Sequence, residues 1–147
     1  MAIWDWMLMV YARPGTAQAC LCLQDDHGQN TSYLLWAIYA GVDDPNLLAK
    51  AAAVARLWDD RALVGLRQVR RALKPSAPPI GDGAREALRE QVKALELSAE
   101  RLLIESLDAM TQIRGGATPI AALAAASKAW GVEAPAAALA DLATVFE

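Results

Sequence analysis

Few side chains in this 147-residue chain carry reactive chemistry: one histidine, His27, and two cysteines, Cys20 and Cys22. Two positions apart on a helix, the thiols point about 200° from each other, so they neither bridge nor share a metal there. With a single histidine beside them, a zinc site would depend on carboxylates that zinc rarely takes. Small buried thiols are the expectation. His27 precedes Gly28 in what reads as the last turn of a helix, where a partial positive charge suits the helix dipole. Catalysis by His27 would need a nucleophile or a carboxylate, and only Asp25 and Asp26 are near in sequence. One histidine also excludes the paired Glu-x-x-His motifs of helical diiron sites.

The acids form pairs at Asp25-Asp26, Asp43-Asp44 and Asp59-Asp60. Helical prenyl-transfer enzymes hold diphosphate through Mg²⁺ on acids one turn apart. Each pair here lacks that second acid; Asp44 reads as a helix cap, and Asp59-Asp60 precede Arg61 on a solvated face. No Gly-x-Gly-x-x-Gly, Gly-Lys-Ser/Thr or Gly-x-Ser-x-Gly occurs. No metal, no cofactor and no catalytic residue is therefore expected, which leans away from an enzyme without excluding one built from scattered residues.

The densest basic cluster is Arg67, Arg70, Arg71 and Lys74, and Glu96 and Glu100 stand one turn apart farther along. If the two segments fold back on each other, the acids meet the bases as inter-helix ion pairs. The other reading of the cluster is a phosphate or acidic partner. Residues 1–74 carry eight basic and seven acidic side chains and residues 75–147 six and ten, so neither half has the excess that nucleic acid requires.

The elements that must hold these groups are helices. Alanine is abundant, strand-length alternation is absent, and Gly and Pro cut the chain into seven helix-sized pieces. These run from about Ile3 to Ala12, Thr16 to Asp26, Ser32 to Ala40, Pro45 to Lys74, Gly83 to Ile113, Thr118 to Gly131 and Pro135 to Phe146. Asn30, Thr31 and Ser32 offer caps for the third, and Asp44-Pro45 opens the fourth. The fourth has the seam Leu48, Ala51, Ala55, Trp58, Ala62, Leu66, Val69 and Leu73; the fifth has Leu88, Val92, Leu95, Ala99, Leu102, Ala109 and Ile113. The segment from Pro75 to Gly83 is a linker that no helix crosses. The predicted fold is all-α: one domain over 1–147, an irregular bundle of about seven helices around a long antiparallel hairpin. The last two helices have a helix-turn-helix cadence, but the second has no basic or amide residue to read DNA and reads as a packing hairpin.

The first and third helices are apolar on every side, through Ile3, Trp4, Trp6, Met7 to Tyr11 and through Tyr33 to Tyr39; the second is nearly so. A helix of this kind must be covered all round. One of the two is expected at the centre of the bundle, and part of the remaining apolar surface is expected to meet a protein partner or a second copy. No apolar run reaches membrane-spanning length; the best, Tyr33 to Val42, is about half of it. The opening Met1-Ala2-Ile3-Trp4-Asp5 reads as no secretory signal, and two cysteines fit a reducing cytoplasm. The expected function is a non-enzymatic helical adaptor or regulatory subunit, with Trp4, Trp6, Tyr11, Gln24, Trp36, Tyr39, Arg67, Arg70, Arg71 and Lys74 as candidate binding residues. The alternative is a small-molecule or lipid binder, or a degenerate enzyme, with a pocket among the first three helices walled by Trp4, Trp36, Tyr39 and Gln24.

One run of residues resembles a known family. Trp4-Asp5-Trp6, Tyr11-Ala12-Arg13-Pro14-Gly15, Ala19-Cys20-Leu21-x-Leu23-Gln24-Asp25, His27-Gly28 and Leu34-Leu35 are similar to a family of short proteobacterial hypothetical proteins. The likeness continues through Trp58, Leu66-Arg67-x-x-Arg70-Arg71-x-Leu73-Lys74 and Glu96-Leu97-x-Ala99-Glu100-Arg101, and ends before Gly116. Asp26 stands where that family usually has Arg, and Thr31-Ser32 where it has Val-Asn. The resemblance implies a cytosolic bacterial protein and no particular reaction.

Overall fold

The computed structural model describes residues 1–147. The helices are α1 (Ile3–Tyr11), α2 (Thr16–His27), α3 (Thr31–Ala40), α4 (Pro45–Trp58), α5 (Val64–Ala72), α6 (Asp82–Ala109), α7 (Pro119–Trp130) and α8 (Ala136–Ala143), with a 3₁₀ turn at Thr144–Phe146. A π turn, Asp59–Leu63, joins α4 to α5 without a break. With α4 and α5 counted as one rod, the fold is an all-α assembly of seven helices.

Local chemistry sets most of the ends. The Asn30 side chain accepts from the Tyr33 amide at 2.9 Å, which makes it the cap of α3. Asp44 accepts from the amides of Asn46 and Leu47 ahead of Pro45. Gly41 ends α3 at φ +61°, a conformation that favours glycine. A Cβ on Gly41 would also stand 2.4 Å from the Gly115 carbonyl oxygen, so the two backbones touch where α3 ends. The Gly115 amide donates to Ala40 O and the Ala117 amide to Gly41 O across that contact.

α3 is the central helix. Tyr33, Leu34, Leu35, Trp36, Ala37 and Ile38 are all buried, enclosed by α4, α6 and α7 with α1 and α2 alongside. Burying the five large side chains among them stabilises the fold by roughly 10 kcal/mol before entropy is counted. The Tyr33 hydroxyl donates to Ala126 O at 2.8 Å and the Trp36 indole to Thr111 Oγ1 at 3.2 Å, so neither polar tip is stranded. Buried side chains from every helix except α5 form one cluster with α3.

α1 departs from the expectation of all-round burial: Ile3, Trp4, Met7 and Val10 face the core, whereas Leu8, Met9 and Tyr11 are exposed. Nine residues cannot be enclosed by a bundle already wrapped around α3. α6 stops at Ala109, short of Ile113, which is 86% exposed in the following loop. The line of α6 turned inward is Arg85, Val92, Glu96, Ala99, Leu103 and Leu107, offset from the leucine stripe read in the sequence. Leu88, Leu95 and Leu102 of that stripe lie at the surface. α5 runs antiparallel to α6: Arg85 donates to Leu73 O and Lys74 O, Arg70 meets Glu96, and the Trp58 indole reaches Ala99 O. No helix is long and apolar enough to cross a membrane.

Candidate functional site

The π turn at Asp59–Leu63 organises the site, as single π turns within helices often do. Its wider turn shifts the inward side of the rod, so Leu63 is buried and Arg67 and Arg70 face α6, while Val69 turns outward. Asp59, expected on a solvated face, is instead half-buried against the α2–α3 junction and accepts from Asn30 Nδ2 at 2.9 Å. Burial raises its carboxyl above the ordinary range, against the pull of Asn30 and Arg67. The residue-to-residue steps Trp58, Ala62 and Leu66, two of four in succession, are the one hint of this looser turn in the sequence.

Across the hairpin, buried Glu96 takes both nitrogens of Arg70, Nε at 2.6 Å and Nη2 at 3.3 Å, and lies 3.7 Å from Arg67 Nε. Glu100, one turn on, receives no side-chain hydrogen bond and no salt bridge. Burial, and then the charge of Glu96, push its carboxyl up to about 7, against Arg67 and Arg70. The Tyr11 hydroxyl lies inward against Cys20 and Thr31. Burial raises that phenol and pushes the Cys20 thiol up to about 11.

These groups floor a cleft of about 380 Å³ between α1 and α6. Trp4, Met7, Leu8 and Leu97 give it apolar walls; Gln24, Arg70, Glu96 and Glu100 give it a polar end, with Tyr11 between. Behind Gln24 and Glu100 lies a polar chamber of about 10 Å³ formed with Asn30, Thr31, Asp59 and Arg67. Nowhere does the fold gather three or more His, Cys, Asp or Glu in a group able to hold a metal ion.

Of the residues singled out in the sequence, Trp4, Tyr11, Gln24, Arg67 and Arg70 are brought together here. Trp36 lines no pocket: it is fully enclosed in the core beside Tyr33. Trp6 and Tyr39 sit on another side of α1, Trp6 stacked on Phe146 at 5.8 Å and edge-on to Tyr39 at 5.1 Å. The Arg114 guanidinium covers the Tyr39 ring at 3.9 Å. The pocket therefore draws on α5 and α6, and α3 contributes nothing to its apolar walls. The basic cluster divides. Arg67 and Arg70 turn to Glu96, Arg71 pairs with Asp25 at 2.8 Å, and Lys74 stays exposed at the hairpin end. Cys20 is buried and Cys22 partly exposed.

The opposite side of the hairpin carries a second surface. Leu88, Leu95 and Leu102, seven residues apart on α6, are 49%, 58% and 57% exposed, and α5 buries no residue at all. At 100° per residue, the same side of α6 holds Ala84, Gln91 and Ser98, and that of α5 holds Gly65, Leu66, Val69, Ala72 and Leu73. None of these is charged. At the bundle end the face runs into an apolar groove of about 240 Å³ lined by Val54, Leu57, Trp58, Leu102, Leu103 and Ser106.

Residues 2–107 match a family described as a protein of unknown function (DUF2390). That span holds the cleft, the π turn and the uncharged hairpin face. No curated protein and no solved structure is matched by the chain.

Proposed function

Since the chain belongs to the DUF2390 family, whose function is not known, we propose a function from its surfaces: a non-enzymatic, cytoplasmic helical interaction protein that docks a helical partner on the α5–α6 face. The observation that carries this reading is the absence of charge from a two-helix face in a chain with 31 charged residues. A solvated hairpin has no reason to keep lysine and glutamate off one whole side, whereas a helix-packing surface does. Seven-residue spacing on α6 is the period at which one helix follows another. Free cysteines, one buried and one partly exposed, agree with a reducing compartment.

The size of the face sets the kind of complex. Leu57, Val69, Leu88, Leu95 and Leu102 are each about half exposed. Covering them returns about 1 kcal/mol each, roughly 5 kcal/mol in all. That is of the order of the cost of association itself, about 4–15 kcal/mol. The contact is thus reversible, and a second copy or another helical protein both satisfy it. A photo-crosslinking residue at Leu95 in cells tests this, with one at exposed Gln18 as the control. A discrete protein adduct at Leu95 alone supports the proposal, and loss of that adduct in Leu88→Glu ties it to the face. No adduct at Leu95, with a purified protein that sediments as a monomer at all concentrations, refutes it. A second reading, a small-molecule binder, is favoured by the cleft on the other side of the hairpin.

A further inference from the structure

We propose that the cleft between α1 and α6 binds an organic cation, an ammonium or guanidinium group on an apolar stem, with Glu100 taking the charge and Trp4, Met7 and Leu8 taking the stem. The inference stands on groups other than those of the α5–α6 face, and holds whether or not that face has a partner.

A count of partners leads to it. Around the polar end stand two guanidinium groups and three carboxyls. Both hydrogen bonds of Arg70 go to Glu96, while Arg67, 3.7 Å from the same carboxylate, makes no side-chain hydrogen bond and keeps a buried Nε unpartnered behind the cleft. Asp59 has Asn30. Glu100 is the carboxyl left over, and it lines the open cleft. Gln24, beside it, uses its amide nitrogen on Asp25 at 3.3 Å, and its carbonyl oxygen accepts from no side chain. Two acceptors therefore face the cleft without a donor. An anion would meet the carboxyls of Glu96 and Glu100 across the cleft, and a neutral apolar molecule would leave Glu100 unsatisfied.

The walls suit the same ligand. The indole of Trp4, with the Arg101 guanidinium 5.5 Å from its ring centre, forms one apolar wall beside Leu8 and Leu97. The volume of about 380 Å³ is within the range of small-ligand sites. The groups facing Glu100 are Glu96 on its own helix, Arg67 and Arg70 on α5, Asp59 in the π turn, Tyr11 on α1 and Cys20 on α2. With its carboxyl held at about 7, Glu100 must release its proton to receive a cation, so affinity rises about tenfold from pH 6 to pH 8.

The test titrates the full-length protein with benzylamine, which stays cationic over this range, and with benzyl alcohol as its neutral counterpart. Chemical shifts of the indole N–H groups are the readout, and calorimetry in two buffers of different ionisation enthalpy counts the protons. Benzylamine is expected to bind at least tenfold tighter than the alcohol, to tighten about tenfold from pH 6 to pH 8, and to release a proton near pH 7. In Glu100→Gln, checked as folded by circular dichroism, the amine should bind no better than the alcohol and lose its pH dependence. Equal binding of the two probes, binding independent of pH, or no binding of benzylamine overturns the proposal. A third probe, the peptide acetyl-Leu-Lys-Leu-amide, assigns the source of the cation. Tighter binding than benzylamine points to a partner's side chain, and weaker binding to a free amine.

Discussion

Replacing Glu100 by glutamine should make the protein more stable above neutrality and leave it unchanged in mild acid. The carboxyl titrates at about 7 in the folded chain against an ordinary 4.5. Below 4.5 both folded and unfolded states keep the proton, and nothing is lost. Between 4.5 and 7 the unfolded chain has released it while the folded chain holds it, so stability falls by about 1.4 kcal/mol per pH unit. Above 7 both states are ionised and the loss levels off at roughly 3 kcal/mol. Glutamine cannot ionise and has almost the same shape, so it removes this loss. Subtracting the wild-type stability from that of Glu100→Gln should give a difference that grows by about 2.5 kcal/mol from pH 5 to pH 8. Asp82, lowered by Ser76 and Arg85, titrates in both proteins and cancels in the subtraction. Urea unfolding followed by tryptophan emission at pH 5, 6, 7 and 8 measures it. A difference that stays flat within about 0.5 kcal/mol, well inside the expected rise, would mean that Glu100 ionises as freely as in water and that the burial argument is wrong.

Three further outcomes follow from other parts of the structure. Arg70→Ala strips buried Glu96 of its bidentate partner and should cost about 3 kcal/mol, most of it recovered by Glu96→Gln in the same chain; a loss below about 1 kcal/mol in urea unfolding contradicts the pairing. Gly41→Ala and Gly115→Ala each drive a Cβ into the opposing backbone and should lower stability by at least about 2 kcal/mol, whereas Gly116→Ala, whose Cβ meets nothing, should be close to neutral; thermal melts distinguish the three. Iodoacetamide at pH 8 should label Cys22 alone in the native protein, because Cys20 is buried with its thiol at about 11; intact mass showing two adducts before unfolding would contradict that.

What could be read in the sequence was what depends on near neighbours. Pro14-Gly15, Gly28, Gly41, Gly131 and the Pro75–Gly83 linker end helices where expected, because caps and breakers act within a few residues. That one of the two all-round apolar helices lies at the centre was implicit in their having no polar face; that it is α3 and not α1 was not. The meeting of Arg70 with Glu96 followed from folding the hairpin back on itself. The choice of which line of α6 faces inward did not follow. Hydrophobic periodicity favours Leu88, Leu95 and Leu102, yet α5 presents Arg67 and Arg70, and the bidentate pairing of Arg70 turns Glu96 inward and leaves the leucines at the surface. Adjacent residues on a helix differ by only about 100°, so one polar contact is enough to decide between neighbouring lines. The isolation of Glu100 was hidden for a related reason. It depends on which donors Glu96 and Asp59 engage, and those lie far apart in the chain, Arg70 on α5 and Asn30 at the α2–α3 junction.

The extra residue at Asp59–Leu63 gives the rod a phase offset of one position. Deleting Asp60 would close the rod into an unbroken α-helix and rotate everything from there to the linker by about 100°. Arg67 and Arg70 would swing off Glu96, and Leu66, Val69 and Leu73 would leave the side they share with Leu95. Insertions and deletions are usually absorbed by loops. In this chain the least forgiving place for a one-codon change is the middle of a helix, where the cation cleft and the hairpin face are kept in step by the same count of residues.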